Sequence, residues 1–264
     1  MKLGFIGCGN MATAILGGIL KKQLLPPNEI IASALHQETL DRVAEAYSIN
    51  TTLDNREAAA ADIVFLAVKP QFYEQVINEI KNNVTETQLI VSIAPGKSIA
   101  TITEWFGKKI KLIRTMPNTP AMVGEGVTAV CPADTVTKDE LQQVLSLLES
   151  CGTAEVMPER LVDAVVSVSG SSPAYVFMFI EALADGAVRD GIPRSQAYRL
   201  AAQAVLGSAK MVLETGKHPG ELKDMVCSPA GTTIEAVAAL EKAGFRNAVL
   251  EGMKACSDKT RSMR

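Results

Sequence analysis

The sequence has few of the residues that build metal centres, disulfide frameworks or nucleic-acid surfaces. It has two histidines and one tryptophan in 264 residues, and its five cysteines show no CxxC spacing. An odd number of scattered cysteines fits reduced thiols rather than a zinc site or a disulfide framework. The net charge of −3 gives no general basic character for binding a nucleic acid. We therefore expect no metal ion and no nucleic-acid partner.

Targeting and membrane signals are also missing from the sequence. No basic region followed by an apolar core stands at the start, and no uninterrupted apolar stretch reaches the length of a membrane span. We therefore expect a soluble, cytoplasmic protein without a membrane partner. Apolar residues make up 47% of the chain and charged residues 21%. A chain of this length and composition can form a substantial core and two domains.

The first dozen residues predict a dinucleotide-binding turn. A short apolar run leads into Gly7, which permits a tight turn, and Gly9, which lets the backbone approach a pyrophosphate. Ala12 then allows the next helix, predicted over residues 11–22, to pack closely on the sheet. The free N–H groups of a helix that starts near Asn10 favour a bound pyrophosphate. An ordinary strand-to-helix turn is the alternative interpretation.

The cofactor preference depends on the end of the second predicted strand. Residues 29–36 carry no acid at their carboxyl end, where NAD-binding proteins hold the ribose 2′-OH with a carboxylate. Because such a carboxylate would repel a 2′-phosphate, its absence favours NADPH, with NADH as a second candidate. Ser33 can donate a hydrogen bond to that phosphate. His36 is another candidate donor, although a lone histidine is more often a solvated loop residue.

The two halves of the chain differ in their hydrophobic patterns. Up to residue 158, short β-branched runs alternate with helical stretches, which predicts a doubly wound, mostly parallel sheet in a dinucleotide-binding domain, 1–158. From 159 to 264 the strand signals stop and helical patterns take over, which predicts an all-α domain. The clearest strands are predicted over 63–68, 89–94, 111–115 and 127–131. The helices are predicted over 173–189, 195–215, 221–226 and 233 to the end.

The helix predicted around residues 197–213 is apolar on much of its circumference. Arg199, Gln203 and Lys210 are almost its only long polar side chains. A helix without a broad polar face must be covered on several sides. Since about 100 residues of helix cannot readily cover that surface alone, we expect at least a homodimer through the helical domain. The central helix of a monomeric bundle is the alternative.

Ligands of open α/β sheets bind at the carboxyl ends of the strands, and several loops of this chain follow predicted strands there. Asn55 and Arg56 would bring an amide and a guanidinium within reach of a ribose or 2′-phosphate. Lys69 either lines the site or is a surface charge at a helix start. For each loop, a purely structural role is the alternative. The loops are residues 54–56, 67–71, 92–96 and the proline-rich 114–120.

The chain contains five short motifs, Gly7–Ala12, Ala67–Pro70, Arg114–Pro120, Ser169–Tyr175 and Ser228–Thr233. Together they closely resemble those of the pyrroline-5-carboxylate reductase family. The resemblance spans essentially the whole chain, and residues 226–238 are far more specific than the glycine turn. It implies a Rossmann-like domain followed by a helical dimerisation domain. It also implies NAD(P)H-dependent reduction of 1-pyrroline-5-carboxylate to proline, the last step of proline biosynthesis.

The same resemblance implies the residues that bind cofactor and substrate. Family members often have glycine where this chain has Ser172 and Ala230, so an added Cβ affects the fit of both loops. The substrate-binding residues implied are Ser228, Gly231, Thr232 and Thr233. The cofactor-binding residues implied are Gly7, Gly9, Asn10, Met11, Ser33, Asn55, Ala67, Val68, Lys69, Pro70, Ala94, Met116, Pro117 and Asn118.

The chemistry of a cyclic imine indicates what the substrate loop must do. The ring accepts hydride well only when its nitrogen is protonated, so the site must favour the iminium or supply a proton. The helix start at Gly231 offers N–H groups for the substrate carboxylate, and Thr233 is the predicted catalytic residue, with a hydrogen bond to the ring nitrogen. The same segment also fits a capping box, with Thr232 as N-cap and Glu235 at the third helical position.

Two other functions stay open on the residues alone. A hydroxyacid dehydrogenase would need a base facing the nicotinamide, and residues 161–184 contain no lysine or histidine. A binding protein that has lost turnover is the other alternative. For the reductase, we expect the helix starts near Gly9 and Gly231 to face each other across a cleft, within one subunit or between two.

Overall fold

The computed structural model describes residues 1–262. They form two compact units, one of residues 1–170 with 257–262 and the other of residues 171–256. All strands of the described chain lie in the first unit, and the last of them ends at Val156. The domain boundary after residue 158 stays a prediction.

The first unit contains an eight-stranded sheet with the strand order 3-2-1-4-5-6-7-8. Every neighbouring pair is parallel except the sixth and seventh strands. The order runs outward from the first strand in both directions, which confirms the predicted Rossmann-like fold. The strands are β1 (Leu3–Ile6), β2 (Ile30–Ser33), β3 (Asn50–Thr52), β4 (Ile63–Leu66), β5 (Leu89–Ser92), β6 (Lys111–Met116), β7 (Gly126–Pro132) and β8 (Gly152–Val156).

Helices pack on both faces of this sheet. Its helices are α1 (Asn10–Lys21), α2 (Gln37–Tyr47), α3 (Asn55–Ala58), α4 (Tyr73–Ile80), α5 (Ile99–Phe106), α6 (Lys138–Leu148) and α7 (Val162–Val165), and a π-helical turn, Val166–Gly170, follows α7. Phe5 and Phe65 belong to the hydrophobic cluster with α1 and α6, and Ile6 and Leu66 to the cluster with α4 and α5. Strands buried on both faces have continuous apolar sequences, which is why β1 and β4 are visible in the sequence.

The sequence analysis missed two strands, β3 and β8. Both lie at edges of the sheet and pair on one side only. β3 has only three residues, all polar, and β8 is largely exposed. Short edge strands carry neither an apolar run nor a clear alternation, so they leave no periodic signal.

The second unit is helical, as predicted, but its last predicted helix is wrong. Instead of one helix from residue 233 to the end, two helices are separated by Gly244, whose φ is +79°. A glycine in this left-handed conformation ends a helix. The helices are α8 (Ser172–Arg189), α9 (Arg194–Thr215), α10 (Pro219–Val226), α11 (Thr232–Lys242) and α12 (Phe245–Ser262), the last of which extends beyond this unit.

The helices of the second unit expose large apolar side chains. Phe177 is 64% exposed and Leu213 83% exposed. The buried apolar residues of this unit are Ala184, Ala197, Ala201 and Leu222, three of them alanines. Apolar surface of this extent is typical of a face that another chain covers.

One segment, Glu159–Arg189, is long and apolar enough to cross a membrane by length and composition alone. The sequence analysis, which counted only uninterrupted apolar runs, did not detect it, because serines and glycines interrupt the segment. Only 22% of its most apolar window is buried. Helices that another protein chain covers are also apolar on most sides.

Candidate active site

The glycine turn after β1 is too tight for any other residue at position 7. Gly7 has a φ of +101°, and a Cβ built on it would lie 2.8 Å from the carbonyl carbon and oxygen of Ala67. Its N–H donates to the carbonyl oxygen of Ser33 at 2.9 Å. Gly7 therefore holds together the ends of three strands, β1, β2 and β4.

The start of α1 is an open anion-binding site. Gly9 is its N-cap, no side chain caps the helix, and the first turn contains no acid. A Cβ on Gly9 would contact no atom within 4 Å, so space remains in front of the free N–H groups of Asn10 and Met11. A twelve-residue helix with an open N-terminus favours a negative group there. These residues fit a dinucleotide pyrophosphate.

Ser33 and Asn55 are brought together, but not as two equal phosphate ligands. Ser33 is fully buried at the end of β2 and donates its hydroxyl hydrogen to Oδ1 of Asn55 at 2.8 Å. The Asn55 amide nitrogen then donates to Glu79 at 2.9 Å. In this arrangement the Ser33 hydroxyl hydrogen is directed to Asn55, and its direct hydrogen bond to a phosphate stays a prediction. Ser33 fixes the orientation of Asn55.

The sequence analysis recognised Arg56 but missed its partner. Asp54 is the N-cap of α3 and accepts from the N–H of Arg56. The Arg56 guanidinium also binds this carboxylate through Nε at 2.8 Å and Nη2 at 2.7 Å. The hydrogen bond from the Arg56 side chain is the largest cause that lowers the pKa of Asp54. Arg56 is exposed and Asp54 half-buried beside the end of β3, so a cation paired with an anion lies at this edge.

Two exposed leucines flank the same edge, and sequence reasoning missed them. Leu35 follows β2 and is 84% exposed, and Leu53 follows β3 and is 58% exposed. β2 and β3 are paired neighbours, so both leucines follow strands that end side by side. His36 is the exposed N-cap of α2, and its side chain makes no capping hydrogen bond. Apolar side chains beside a ribose-binding edge suit an adenine ring.

The loop after β4 has the predicted form. Pro70 occupies the first position of a short 3₁₀ turn, where no N–H is needed, and the exposed Lys69 precedes it. Ala67 and Val68 are half-buried, and the N–H of Ala67 bonds to the Ile6 carbonyl oxygen at 2.8 Å. The loop backbone therefore passes beside the glycine turn.

The proline-rich turn after β6 is held by the amide of Asn118. Its Nδ2 donates to the Ser169 carbonyl oxygen at 3.0 Å, and its Oδ1 accepts from the N–H of Val127 at 2.9 Å. Asn118 and Pro117 are buried, whereas Met116 is half-buried. Asn118 thus fixes the turn against the π-helical segment. Its amide bonds to the chain's own backbone, and among residues 116–118 Met116 has the most exposed surface.

A buried ion cluster lies near the end of β6, and sequence reasoning missed it. Arg114 is 5% exposed and binds Glu159 at 2.9 Å and Asp163 at 3.2 Å. Glu159 also accepts from the N–H of Ile99, the first residue of α5, at 2.7 Å. Arg114 therefore connects the sheet to α5 and α7. The only sequence signal for this cluster would have been its two carboxylates, which lie far from Arg114 along the chain.

The substrate loop differs from the predicted capping box. Gly231, not Thr232, is the N-cap of α11, and no side chain caps the helix. The N–H of Gly231 closes a turn on the Ser228 carbonyl oxygen at 3.0 Å, and the helix starts one residue earlier than the cap interpretation requires. Within residues 1–262, no hydrogen bond of the Thr232 or Thr233 hydroxyl is found. Thr233 is half-buried and stands at the second position of the helix.

The loop before α11 contains one strained residue. Ala230 has a φ of +58°, a left-handed conformation that costs an alanine roughly 1–2 kcal/mol. Beside it, a Cβ on Gly231 would lie 2.3 Å from the Ser228 hydroxyl oxygen. A side chain at position 231 would therefore displace the Ser228 hydroxyl, and glycine would also suit position 230 because of its left-handed backbone.

Comparison with known proteins agrees with these geometries. Residues 2–96 match the family model described as NADP oxidoreductase, coenzyme F420-dependent, and residues 159–263 match the model described as pyrroline-5-carboxylate reductase dimerisation. Pyrroline-5-carboxylate reductase of Escherichia coli is 50% identical over 263 residues, which is 99% of this chain and 98% of that protein.

Two solved structures are similar over nearly their whole length. The pyrroline-5-carboxylate reductase of Coxiella burnetii has a TM-score of 0.93 at 35% identity, covering 99% of this chain and 98% of that one. The Plasmodium falciparum enzyme, with NADP bound, has a TM-score of 0.89 at 32% identity, covering 100% and 98%. The chain belongs to the pyrroline-5-carboxylate reductase family.

Proposed function

We infer that this protein reduces 1-pyrroline-5-carboxylate to L-proline with NADPH, the last step of proline biosynthesis. The observation that carries this inference is the 50% identity, over 99% of the chain, to a pyrroline-5-carboxylate reductase. The open helix start at Gly9 and the relative solved with NADP bound support the cofactor.

Each cofactor-binding residue has a role that its geometry supports. Asn10 and Met11 offer backbone N–H groups to the pyrophosphate. At the β2 edge, Asn55 is oriented by Ser33 toward the ribose, and His36 is a second donor. Ala67, Val68, Lys69, Pro70 and Ala94, together with Met116, Pro117 and Asn118, form the walls of the nicotinamide pocket.

The preference for NADPH rests on charge at the ribose edge. β2 ends without an acid, and the one carboxylate two residues after β3, Asp54, is neutralised by Arg56. After β3, a 2′-phosphate therefore meets the Arg56–Asp54 ion pair rather than a lone aspartate. NADH, which lacks this phosphate, is the weaker cofactor.

The substrate is held by the loop that opens α11. The N–H groups of Thr232 and Thr233 bind its carboxylate, with Ser228 and Gly231 shaping the turn around it. The Thr233 hydroxyl bonds to the ring nitrogen and favours the protonated imine. The bound cofactor supplies a hydride to the imine carbon, and the nitrogen, with its proton, becomes the secondary amine of proline.

The assembly is a homodimer, or a larger assembly of dimers, formed through the helical domain. The family's dimerisation model over residues 159–263 supports self-association, and the exposed Phe177 and Leu213 supply apolar surface. We place the enzyme in the cytoplasm, in line with its reduced thiols.

Steady-state oxidation of NADPH and NADH with pyrroline-5-carboxylate tests the reaction and the cofactor together. We expect turnover with both and a higher kcat/KM with NADPH. A hydroxyacid that supports turnover in place of the imine, or cofactor binding without turnover, would contradict this function.

A further inference from the structure

A buried relay of hydroxyl groups crosses the carboxyl ends of three neighbouring strands. Thr115 of β6 donates its hydroxyl hydrogen to the Ser92 carbonyl oxygen at 2.9 Å. Ser92, the last residue of β5, donates its own to the phenol oxygen of Tyr73 at 3.2 Å. Tyr73 donates to the carbonyl oxygen of Leu66, the last residue of β4, at 2.5 Å. We call these four residues the hydroxyl relay.

The relay is buried and its direction is set. None of its members is more than 1% exposed. Burial is the largest cause that raises the pKa of Tyr73 well above its ordinary value, so the phenol keeps its hydrogen. Since that hydrogen goes to Leu66, the phenol oxygen is left to accept from Ser92. Buried polar groups whose hydrogen bonds are all satisfied hold their neighbours rigidly in a low-dielectric interior.

A tyrosine at this position is not explained by packing alone. Tyr73 lies in an otherwise apolar cluster that includes Ile77, Ile102 and Phe106. A phenylalanine would fill nearly the same space without bringing a polar group into the core, and a buried hydroxyl is unfavourable unless it is hydrogen-bonded. The hydroxyl therefore has a role beyond filling the core.

Each strand that the relay joins runs directly into a loop proposed to line the nicotinamide pocket. Leu66 precedes Ala67–Pro70, Ser92 lies two residues before Ala94, and Thr115 precedes Met116–Asn118. The residues assigned to the adenosine half, Ser33 and Asn55, have no hydrogen bond to the relay. The relay therefore acts on one half of the cofactor site.

We propose that Tyr73 is a positioning residue, whose hydroxyl fixes these three loops relative to one another and so shapes the pocket for the nicotinamide half of NADPH. The proposal rests on the cofactor assigned under the proposed function. Displacements well below the size of an atom at such a pocket weaken binding and catalysis strongly, because the reacting groups must be held in one geometry.

The test compares two ligands on the Tyr73→Phe variant by titration calorimetry. NADPH carries the nicotinamide, whereas adenosine 2′,5′-bisphosphate carries only the adenosine half and its phosphates. We expect the Kd of NADPH to rise about tenfold and that of the bisphosphate to stay within about twofold. The KM for NADPH should rise in parallel. Ser92→Ala, which removes the hydrogen bond that the Tyr73 phenol oxygen accepts, should reproduce the same selective loss of NADPH binding.

Phe106→Leu is the matched control, because it lowers stability in the same cluster without touching the relay. It should leave both Kd values unchanged while lowering the Tm. A Tyr73→Phe variant that lowers only the Tm, or that weakens both ligands equally, would overturn the proposal and leave Tyr73 a structural residue. Wild-type protein that binds neither ligand would overturn the proposed function itself, and the role of Tyr73 with it.

Discussion

Thr232 and Thr233 stand at the first two positions of α11, and neither hydroxyl caps the helix. The capping interpretation, which competed with catalysis on the sequence, therefore loses its geometric basis. A hydroxyl at a helix start with no hydrogen bond within the described residues is available to a ligand. The two threonines then differ in one respect, since Thr233 is half-buried and Thr232 exposed.

Thr233→Ala should lower kcat/KM about a hundredfold or more, since it removes the hydrogen bond to the ring nitrogen. The Tm should change little because no cap is lost. Thr232→Ala is the matched control and should retain most of the activity. Normal kinetics in a less stable Thr233→Ala protein would show that the residue serves only the fold.

Ala230→Gly should stabilise the protein by about 0.5–1 kcal/mol. It relieves the left-handed strain, although the more flexible unfolded chain offsets part of the gain. Ala243→Gly is the matched control, because Ala243 has a φ of −75° and the same change should destabilise there. Urea unfolding measures the free energy of unfolding of both variants. A change of the same sign in both would contradict the strain at position 230.

Arg56→Gln should lower kcat/KM with NADPH about tenfold and leave NADH nearly unchanged, because it removes a cation and exposes the charge of Asp54. Combining it with Asp54→Asn should restore part of the NADPH activity. Loss with both cofactors alike would assign Arg56 to folding rather than to the 2′-phosphate.

For single residues, the sequence predicted backbone requirements better than side-chain contacts. Gly7 was predicted from spacing alone, because only glycine tolerates that turn. The bond between Ser33 and Asn55 could not be predicted, since it joins residues brought together by the pairing of β2 with β3. The same holds for the Arg114 cluster, whose partners are 45 and 49 residues away.

At the scale of elements, the strength of the periodic signal decided which helices and strands could be predicted. Central strands such as β4 and β5 are continuous apolar runs and were found. The polar edge strand β3 was not, and Gly244 was overlooked inside a helical pattern because an isolated glycine is tolerated in helices. Tertiary pairing, not local sequence, makes β3 a strand.

Arg114 connects the sheet to α5 and α7. Arg114→Met should destabilise the protein by roughly 3 kcal/mol, because it removes a buried cation that binds two carboxylates. Lys111→Met on the same strand is the control. Its pair with Glu140 is more exposed, so the loss should stay below about 1 kcal/mol. If urea unfolding shows a similar loss of stability in both variants, the buried cluster does not have the stabilising role assigned to it.

At the scale of the whole molecule, the surface of the helical unit predicts assembly. Phe177→Asp should weaken the dimer by placing a charge on the apolar face of α8, and sedimentation at micromolar concentration should show monomer appearing. Leu24→Asp, a charge on an exposed leucine of the first unit, should leave the dimer intact. A wild-type protein that is monomeric at this concentration would contradict the assembly.

The central claim is that hydride passes from the reduced nicotinamide to the imine carbon of pyrroline-5-carboxylate. The most direct measurement is mass spectrometry of the product formed with NADPH carrying deuterium at the transferred position of its nicotinamide ring. Direct hydride transfer gives one deuterium in proline, on the former imine carbon, for each NADPH consumed. NADPH oxidised without deuterium in proline would contradict it.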